Sequence, residues 1–274
     1  MATLNELSNA RELMVNLTLR ELRGKYKRSV LGWAWSLLNP LVTMAVFTVV
    51  FLVFLGVDVP LGRPSGMQVF AFFLLCGLLP WNFLSNGVNG GMTALLNNAT
   101  LIKKVYFPRE VLVAANVASW LVSLVIELGV LAVALMVAGN FVVPWIPAVV
   151  VLVALQSVFV VGIGLLLSVL NVYFRDVQHL MAILLQFWFY STPIVYPLDV
   201  VPLTVELFGV DLPVRALYEL NPMVGFVEAY RDLLYDLRLP PLGDVAYLVL
   251  ASAVALGLGL AVFNRLEPKL AEEL

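Results

Sequence analysis

The sequence predicts an all-α integral membrane protein with six transmembrane helices, an N-terminal amphipathic helix on the membrane surface, and an outer segment that folds back into the bilayer. Three observations lead there. The 274 residues are 62% hydrophobic and 12% charged, with a mean hydropathy of +0.97, whereas soluble domains carry about a quarter charged residues. Six apolar stretches, 33–55, 68–92, 110–138, 145–171, 177–196 and 244–264, are each bounded by charge, Pro or Gly, and about 20 helical residues suffice to cross a bilayer core. The segments between them differ sharply in positive charge. The same composition leaves no room for a large soluble catalytic domain. A net charge of −2 gives no basic surface for nucleic acid, and the single cysteine, Cys76, excludes an internal disulfide framework.

The opening stretch, 1–30, is polar and carries six Lys or Arg residues, so the first span is expected to be a retained anchor rather than a cleaved signal. Within it Val15, Leu19, Leu22 and Tyr26 recur at spacings of four, three and four with Arg20, Arg23 and Lys27 between them, the pattern of an amphipathic helix. Thr3 and Glu6 have capping-box spacing at its start, and Trp33 and Trp35 mark the interface where the chain turns inward. Six spans put both termini on one side. If that side is cytoplasmic, the inner segments hold Arg11, Arg20, Arg23, Lys25, Lys27, Arg28, Lys103, Lys104, Arg109, Arg175, Arg265 and Lys269, against only Arg63, Arg215, Arg231 and Arg238 outside. That bias sets both ends in.

Between the second and third spans, residues 95–107 are too apolar for a solvated loop, and Pro108 suits the first turn of the next helix. The segment therefore reads as a separate short helix, either resting on the membrane or docking a cytoplasmic partner. The outer segment 200–238 interleaves Pro202, Pro213, Pro222 with apolar runs too short to cross. In 222–236, Met223, Phe226, Val227, Tyr230, Leu233 and Leu234 form one helical face, while Glu228, Arg231, Asp232 and Asp236 take another. Irregular backbone at membrane depth needs protein cover or an aqueous cavity, which a pore mouth or gate provides.

Catalytic motifs are missing. No phosphate-binding Gly-x-x-x-x-Gly-Lys-[Ser/Thr] loop is present, His179 is the single histidine, and there is no His-Glu-x-x-His, Gly-x-Ser-x-Gly or Asp-x-Asp pattern. Glu127 is the one carboxylate well inside a predicted span, which marks either a polar point on a path or a packing carboxyl. Phe187, Trp188, Phe189 and Tyr190 cover every side of the fifth span, so at least one ring faces a neighbour or a cavity rather than lipid. Gly87 with Gly91, and Ala253, Gly257 and Ala261, have the small-residue spacing of close helix pairs. Six helices are few to enclose a wide path, so a homodimer with the path between protomers is the economical arrangement.

Four stretches together resemble the membrane subunit of ABC-2 type transporters, in particular polysaccharide, O-antigen and teichoic acid export permeases. They are Arg20-Glu21-Leu22-Arg23-Gly24-Lys25-Tyr26 with Leu31-Gly32-Trp33-Ala34-Trp35 and Asn39-Pro40; Leu101-Ile102-Lys103-Lys104-Val105-Tyr106-Phe107-Pro108; Asn171-Val172-Tyr173-Phe174-Arg175-Asp176 running to Pro193-Ile194-Val195-Tyr196-Pro197; and Leu220-Asn221-Pro222-Met223 with Glu228-Ala229-Tyr230-Arg231. The resemblance implies a homodimer in the bacterial inner membrane, with two ATP-binding-cassette subunits beneath it that hold ATP and Mg, and no cofactor on this chain. It implies an interface helix over 1–30 and a coupling helix within 95–107, with Leu101, Ile102, Lys103, Lys104, Val105 and Tyr106 in contact with the ATPase. Arg175 and Asp176 become a cytoplasmic entrance. Trp33, Trp35, Phe187, Trp188, Phe189, Tyr190 and Glu127 become candidates to line the path. Two outer gate helices are implied, 202–220 and 222–236, with Asn221, Pro222, Glu228, Tyr230 and Arg231 as gate residues. The cargo implied is a lipid-linked glycan, with galactan, O-antigen-like glycan and teichoic acid all open. The alternatives are an ABC-2 exporter of a small amphiphile such as a drug, pigment or haem, an ion- or proton-coupled carrier using Glu127, and a membrane enzyme.

Overall fold

The computed structural model describes residues 4–25, 31–32, 34–54, 56, 58–105, 107–207 and 210–273, so Thr3, Tyr26, Trp33 and Tyr106 lie outside the described residues. The helices in chain order are α1 (Leu4–Lys25), α2 (Ala34–Thr48, continued by a π-helical stretch Val49–Phe54), α3 (Phe70–Asn97), α4 (Ala99–Lys104), α5 (Glu110–Val137), α6 (Ile146–Tyr173) and α7 (Val177–Tyr190). A two-stranded antiparallel hairpin, β1 (Val205–Leu207) with β2 (Val210–Leu212), follows, then α8 (Val214–Glu219), α9 (Pro222–Arg231, continued by a π-helical turn Asp232–Asp236), α10 (Leu242–Leu266) and α11 (Leu270–Glu273). Among the described residues, five helical segments are long and apolar enough to cross a membrane: Leu37–Phe54, Phe70–Asn97, Glu110–Val137, Val143–Tyr173 and Leu242–Leu266.

The fifth expected span, 177–196, differs. Its helix α7 has 14 residues, or about 21 Å at 1.5 Å per residue, short of a core about 30 Å thick. Helix ends after Tyr190, and residues 192–195 continue as irregular chain that is buried against protein. Asn221 stabilises this break, donating from Nδ2 to the Ser191 carbonyl at 3.0 Å and to Thr192 Oγ1 at 3.1 Å.

Among the five long segments, α3 is the most enveloped, packed on α5, α6 and α9, and the one that begins in α2 is the least. Pro80 lies inside α3 and removes one backbone donor from its ladder; the Pro80 carbonyl accepts from Gln156 Nε2 of α6 at 2.9 Å. Glycines set the closest approaches. A Cβ at Gly91 would meet Gly164 Cα at 3.2 Å, and a Cβ at Gly162 or Gly259 would overlap the backbone of the facing helix, so α6 and α10 touch main chain to main chain. The expected stripe Ala253, Gly257 and Ala261 is not that contact. It lies on the exposed side of α10, because burial of Leu248, Ser252, Gly259 and Phe263 turns the opposite face inward.

α1 also differs from its expected face. Leu17 is buried with Leu95, Ile102, Leu112, Phe263 and Leu270, and Leu22 is buried as well, while Val15 and Leu19 stay exposed. The helix packs along protein on one side, so its apolar positions divide between two faces. α1, α4, the end of α6 and the end of α10 gather at one end of the bundle, tied by Arg109 Nη1 to the Glu267 carbonyl at 2.7 Å and by the Tyr173 hydroxyl to the Leu266 carbonyl at 3.1 Å. The segment 58–67, the hairpin and α9 gather at the other end.

Candidate functional site

At the α1 end, α4 is a short peg with one side inserted. Ile102 is buried and Leu101 half-buried, while Lys103, Lys104 and Val105 are exposed and Val105 is already extended. Arg20 of α1 donates to Asn98, the residue before α4, so α1 and α4 are tied together. Tyr106 lies outside the described residues. Arg175 and Asp176 sit exposed in the turn between α6 and α7 at this end. Asp176 makes no side-chain cap bond to α7, which leaves its carboxylate turned to solvent.

The aromatic run on α7 divides. Trp188 and Phe189 turn inward: Trp188 meets Trp81 edge-on at 6.1 Å and donates from Nε1 to Asn221 Oδ1 at 2.7 Å, and Phe189 stacks on Phe47 at 6.3 Å. Phe187 and Tyr190 turn outward, 70% and 63% exposed, and Trp35 is exposed on α2. Trp33 lies outside the described residues. Glu127 of α5 is half-buried, and Lys25 at the end of α1 supplies the positive charge acting on it. Lys25 Nζ lies 3.3 Å from the Trp120 ring centroid and 3.5 Å from Ser123 Oγ, so a cation–π contact holds the end of α1 against α5.

At the opposite end the first expected gate helix, 202–220, is not one helix. The hairpin β1–β2 occupies its first half and helix is confined to α8, because Pro202 and Pro213 interrupt the backbone ladder and Val205, Leu207, Val210 and Leu212 favour strand. The second, 222–236, is helical throughout. Asn221 caps it by accepting from the Met223 amide at 3.0 Å, with Pro222 at the first helical position. Its gate candidates are anchors within the protein. Tyr230 is fully buried and donates to Gln156 Oε1 at 3.0 Å. Arg231, 3% exposed, donates to Glu228 at 2.8 Å and to the Ile194 carbonyl at 2.8 Å, with its guanidinium 3.7 Å from the Phe73 ring centroid.

Several residues that organise this end escape sequence inspection. Asn140 donates to the carbonyls of Leu234 and Tyr235, and the Tyr235 hydroxyl donates to Pro60 at 2.8 Å. Arg238 donates from Nε to Asp232 at 2.7 Å and lies 3.3 Å from Asp236. Burial pushes the Asp232 carboxyl up to about 6, against the opposing pull of Arg238, and pushes Asp236 upward too. An uncharged polar residue within an apolar span, such as Gln156, was the signal available for the buried network.

Beside Tyr235, Asp236 and Arg238 lies a cavity of about 610 Å³ whose wall includes Arg63, Arg215, Arg231 and Arg238. Asp58, Asp199, Glu228 and Asp236 share it, and Asp199, Glu228 and Asp236 each pair with one of those arginines.

The sequence model of the family described as ABC-2 type transporter matches residues 12–235. The chain is 33% identical over 270 residues to the O-antigen export system permease protein RfbA of Myxococcus xanthus, covering 98% of both chains. It is 28% identical over 262 residues to a Klebsiella pneumoniae protein of the same name, covering 95% of this chain and 94% of that one. With the polysialic acid transport protein KpsM of Escherichia coli it shares 23% identity over 252 residues, 92% of each chain. A multi-pass helical bundle with no phosphate-binding loop, matched over most of its length by that family, belongs to the ABC-2 type transporters as a membrane permease subunit.

Proposed function

We propose that this chain is the permease of an ATP-driven exporter that moves a lipid-linked polysaccharide, of the O-antigen, galactan or teichoic acid kind, across the bacterial inner membrane. The observation that carries this reading is 33% identity to an O-antigen export permease along 98% of both chains. Family membership implies an ATPase partner subunit, which supplies the ATP site and its Mg. In this reading the α1 end is cytoplasmic, and α7 with residues 191–196 makes the sixth crossing. The alternation of direction through α2, α3, α5, α6, α7 and α10 supports it, as does the excess of Lys and Arg at the α1 end.

Two copies then form the path between them. The exposed faces of α2 and α7 support this arrangement, with Trp35, Phe187 and Tyr190 toward the path. Trp188 and Phe189 position α7 rather than touch cargo. Glu127 serves with Lys25 to seat α1. The peg α4, with Leu101 and Ile102 holding it and Lys103, Lys104 and Val105 presented outward, receives the ATPase motion. Arg175 and Asp176 flank the cytoplasmic entrance. The helix from Pro222 is the outer gate, hinged on Asn221 and secured through Glu228, Tyr230 and Arg231.

Depleting the protein in its native cell tests the cargo: a long polyprenyl-linked polymer should accumulate on the cytoplasmic side. Depletion without such an intermediate removes the glycan reading. Replacing Lys103 and Tyr106 with Ala should leave ATP hydrolysis by the purified complex while export stops; normal export by that variant overturns the coupling assignment.

A further inference from the structure

All four arginines outside the α1 end, Arg63, Arg215, Arg231 and Arg238, come from three separate stretches of chain and meet on one cavity wall. Four carboxylates share that wall, those of Asp58, Asp199, Glu228 and Asp236. Balanced charge of this kind selects against both simple ions. Arg215 pairs with Asp199, Arg231 with Glu228 and Arg238 with Asp236, so a phosphate oxygen meets a carboxylate beside each of those three guanidiniums, and a divalent cation meets a guanidinium beside each of those three carboxylates. A neutral ligand dense in hydroxyls avoids both conflicts. Each hydroxyl donates to a carboxylate and accepts from a guanidinium, and the two-pronged geometry of both groups matches a pair of adjacent hydroxyls.

Two further features point to a ligand. Asp58 and Arg63 are exposed at the rim, and among the described residues the side chain of neither joins an ion pair or hydrogen bond. The volume of about 610 Å³ lies within the roughly 300–1,000 Å³ usual for ligand sites, room for a short stretch of sugars.

We propose that this cavity, formed by the 58–63 segment, the turn at Asp199 and the helix from Pro222, is a saccharide subsite that takes a short neutral stretch of the exported glycan through its guanidinium and carboxylate groups. It rests on the glycan-export reading above, and its location at the end opposite α4 makes it a site for polymer that has already crossed.

The test begins with a deletion strain, which identifies the surface glycan that this transporter exports. Oligosaccharides released by mild acid from that glycan are then titrated onto the purified permease–ATPase complex in nanodiscs, followed by saturation-transfer NMR. Binding is expected, at least fivefold weaker in Asp58→Asn and Arg63→Gln, with unchanged elution and thermal midpoint in both variants because the two side chains are exposed. Inorganic phosphate and magnesium chloride should not displace the saccharide. Absence of binding, equal binding by both variants, or displacement by phosphate or magnesium overturns the subsite while leaving export intact. If the deletion strain keeps all its surface glycan, the export reading falls and the subsite with it.

Discussion

At the residue scale the buried polar groups carry the sharpest expectations. Tyr230 and Gln156 are both buried and bond one another, and Gln156 also reaches the Pro80 carbonyl. Tyr230→Phe leaves the Gln156 oxygen buried without its donor, a loss of about 1–3 kcal/mol, expected as a lower unfolding midpoint in detergent; an unchanged midpoint would show that the bond is dispensable. Asn221→Ala removes a helix cap and the link to Trp188 together, and loss of a cap alone destabilises by about 0.5–2 kcal/mol. Quenching of tryptophan fluorescence by acrylamide should rise in that variant as Trp188 loosens. The Asp232 carboxyl gives a pH dependence of defined sign. Its folded-state value of about 6 lies above the ordinary 3.8, so the fold binds this proton more tightly than the unfolded chain does. Its stabilising contribution is complete below about pH 4 and is lost as pH rises through about 6. Unfolding midpoints measured across that window should show this component, and Asp232→Asn should remove it.

At the element scale, helix contacts explain which small residues matter. Gly162 and Gly259 bring α6 and α10 into backbone contact, and a Cβ at either overlaps main chain that has no room to yield. Gly259→Val should therefore abolish the monodisperse folded protein on size exclusion, whereas Gly257→Ala, with nothing within 4 Å, should leave the elution profile unchanged. Equal behaviour of the two would contradict the packing of α10. Spacing in the sequence identified small residues on this helix and placed them on the wrong face, since a period-four stripe recurs on more than one side. The two arms of the outer segment separate in the same way. Asn221-Pro222 and the apolar face beyond it were enough to specify a helix, because cap, first-turn proline and periodicity agree locally. Residues 202–220 carried two prolines and strand-forming residues, and the hairpin forms there.

At the scale of the whole molecule, the helices bring Leu17, Ile102 and Leu270 into one cluster at one end, and the segment 58–67 against Tyr235 and Asp236 at the other. If the α1 end is cytoplasmic, as proposed, single cysteines placed at Arg175 and Glu267 in a Cys76→Ala background should react with an impermeant maleimide only after the membrane is opened. One at Leu203 should react in intact cells. The reverse pattern would invert the orientation. The sequence alone determined the solvent in which this chain folds, the positions of its long apolar helices, the asymmetry of its positive charge and the family resemblance, since each depends on composition or on residues near one another along the chain. Tertiary structure decided the rest: that α7 stops after 14 residues, that Trp188 and Phe189 turn inward while Phe187 and Tyr190 do not, and that four distant arginines share one cavity wall. Those outcomes depend on which helix faces meet, and on which buried donors find acceptors across long sequence separations, and periodicity fixes neither.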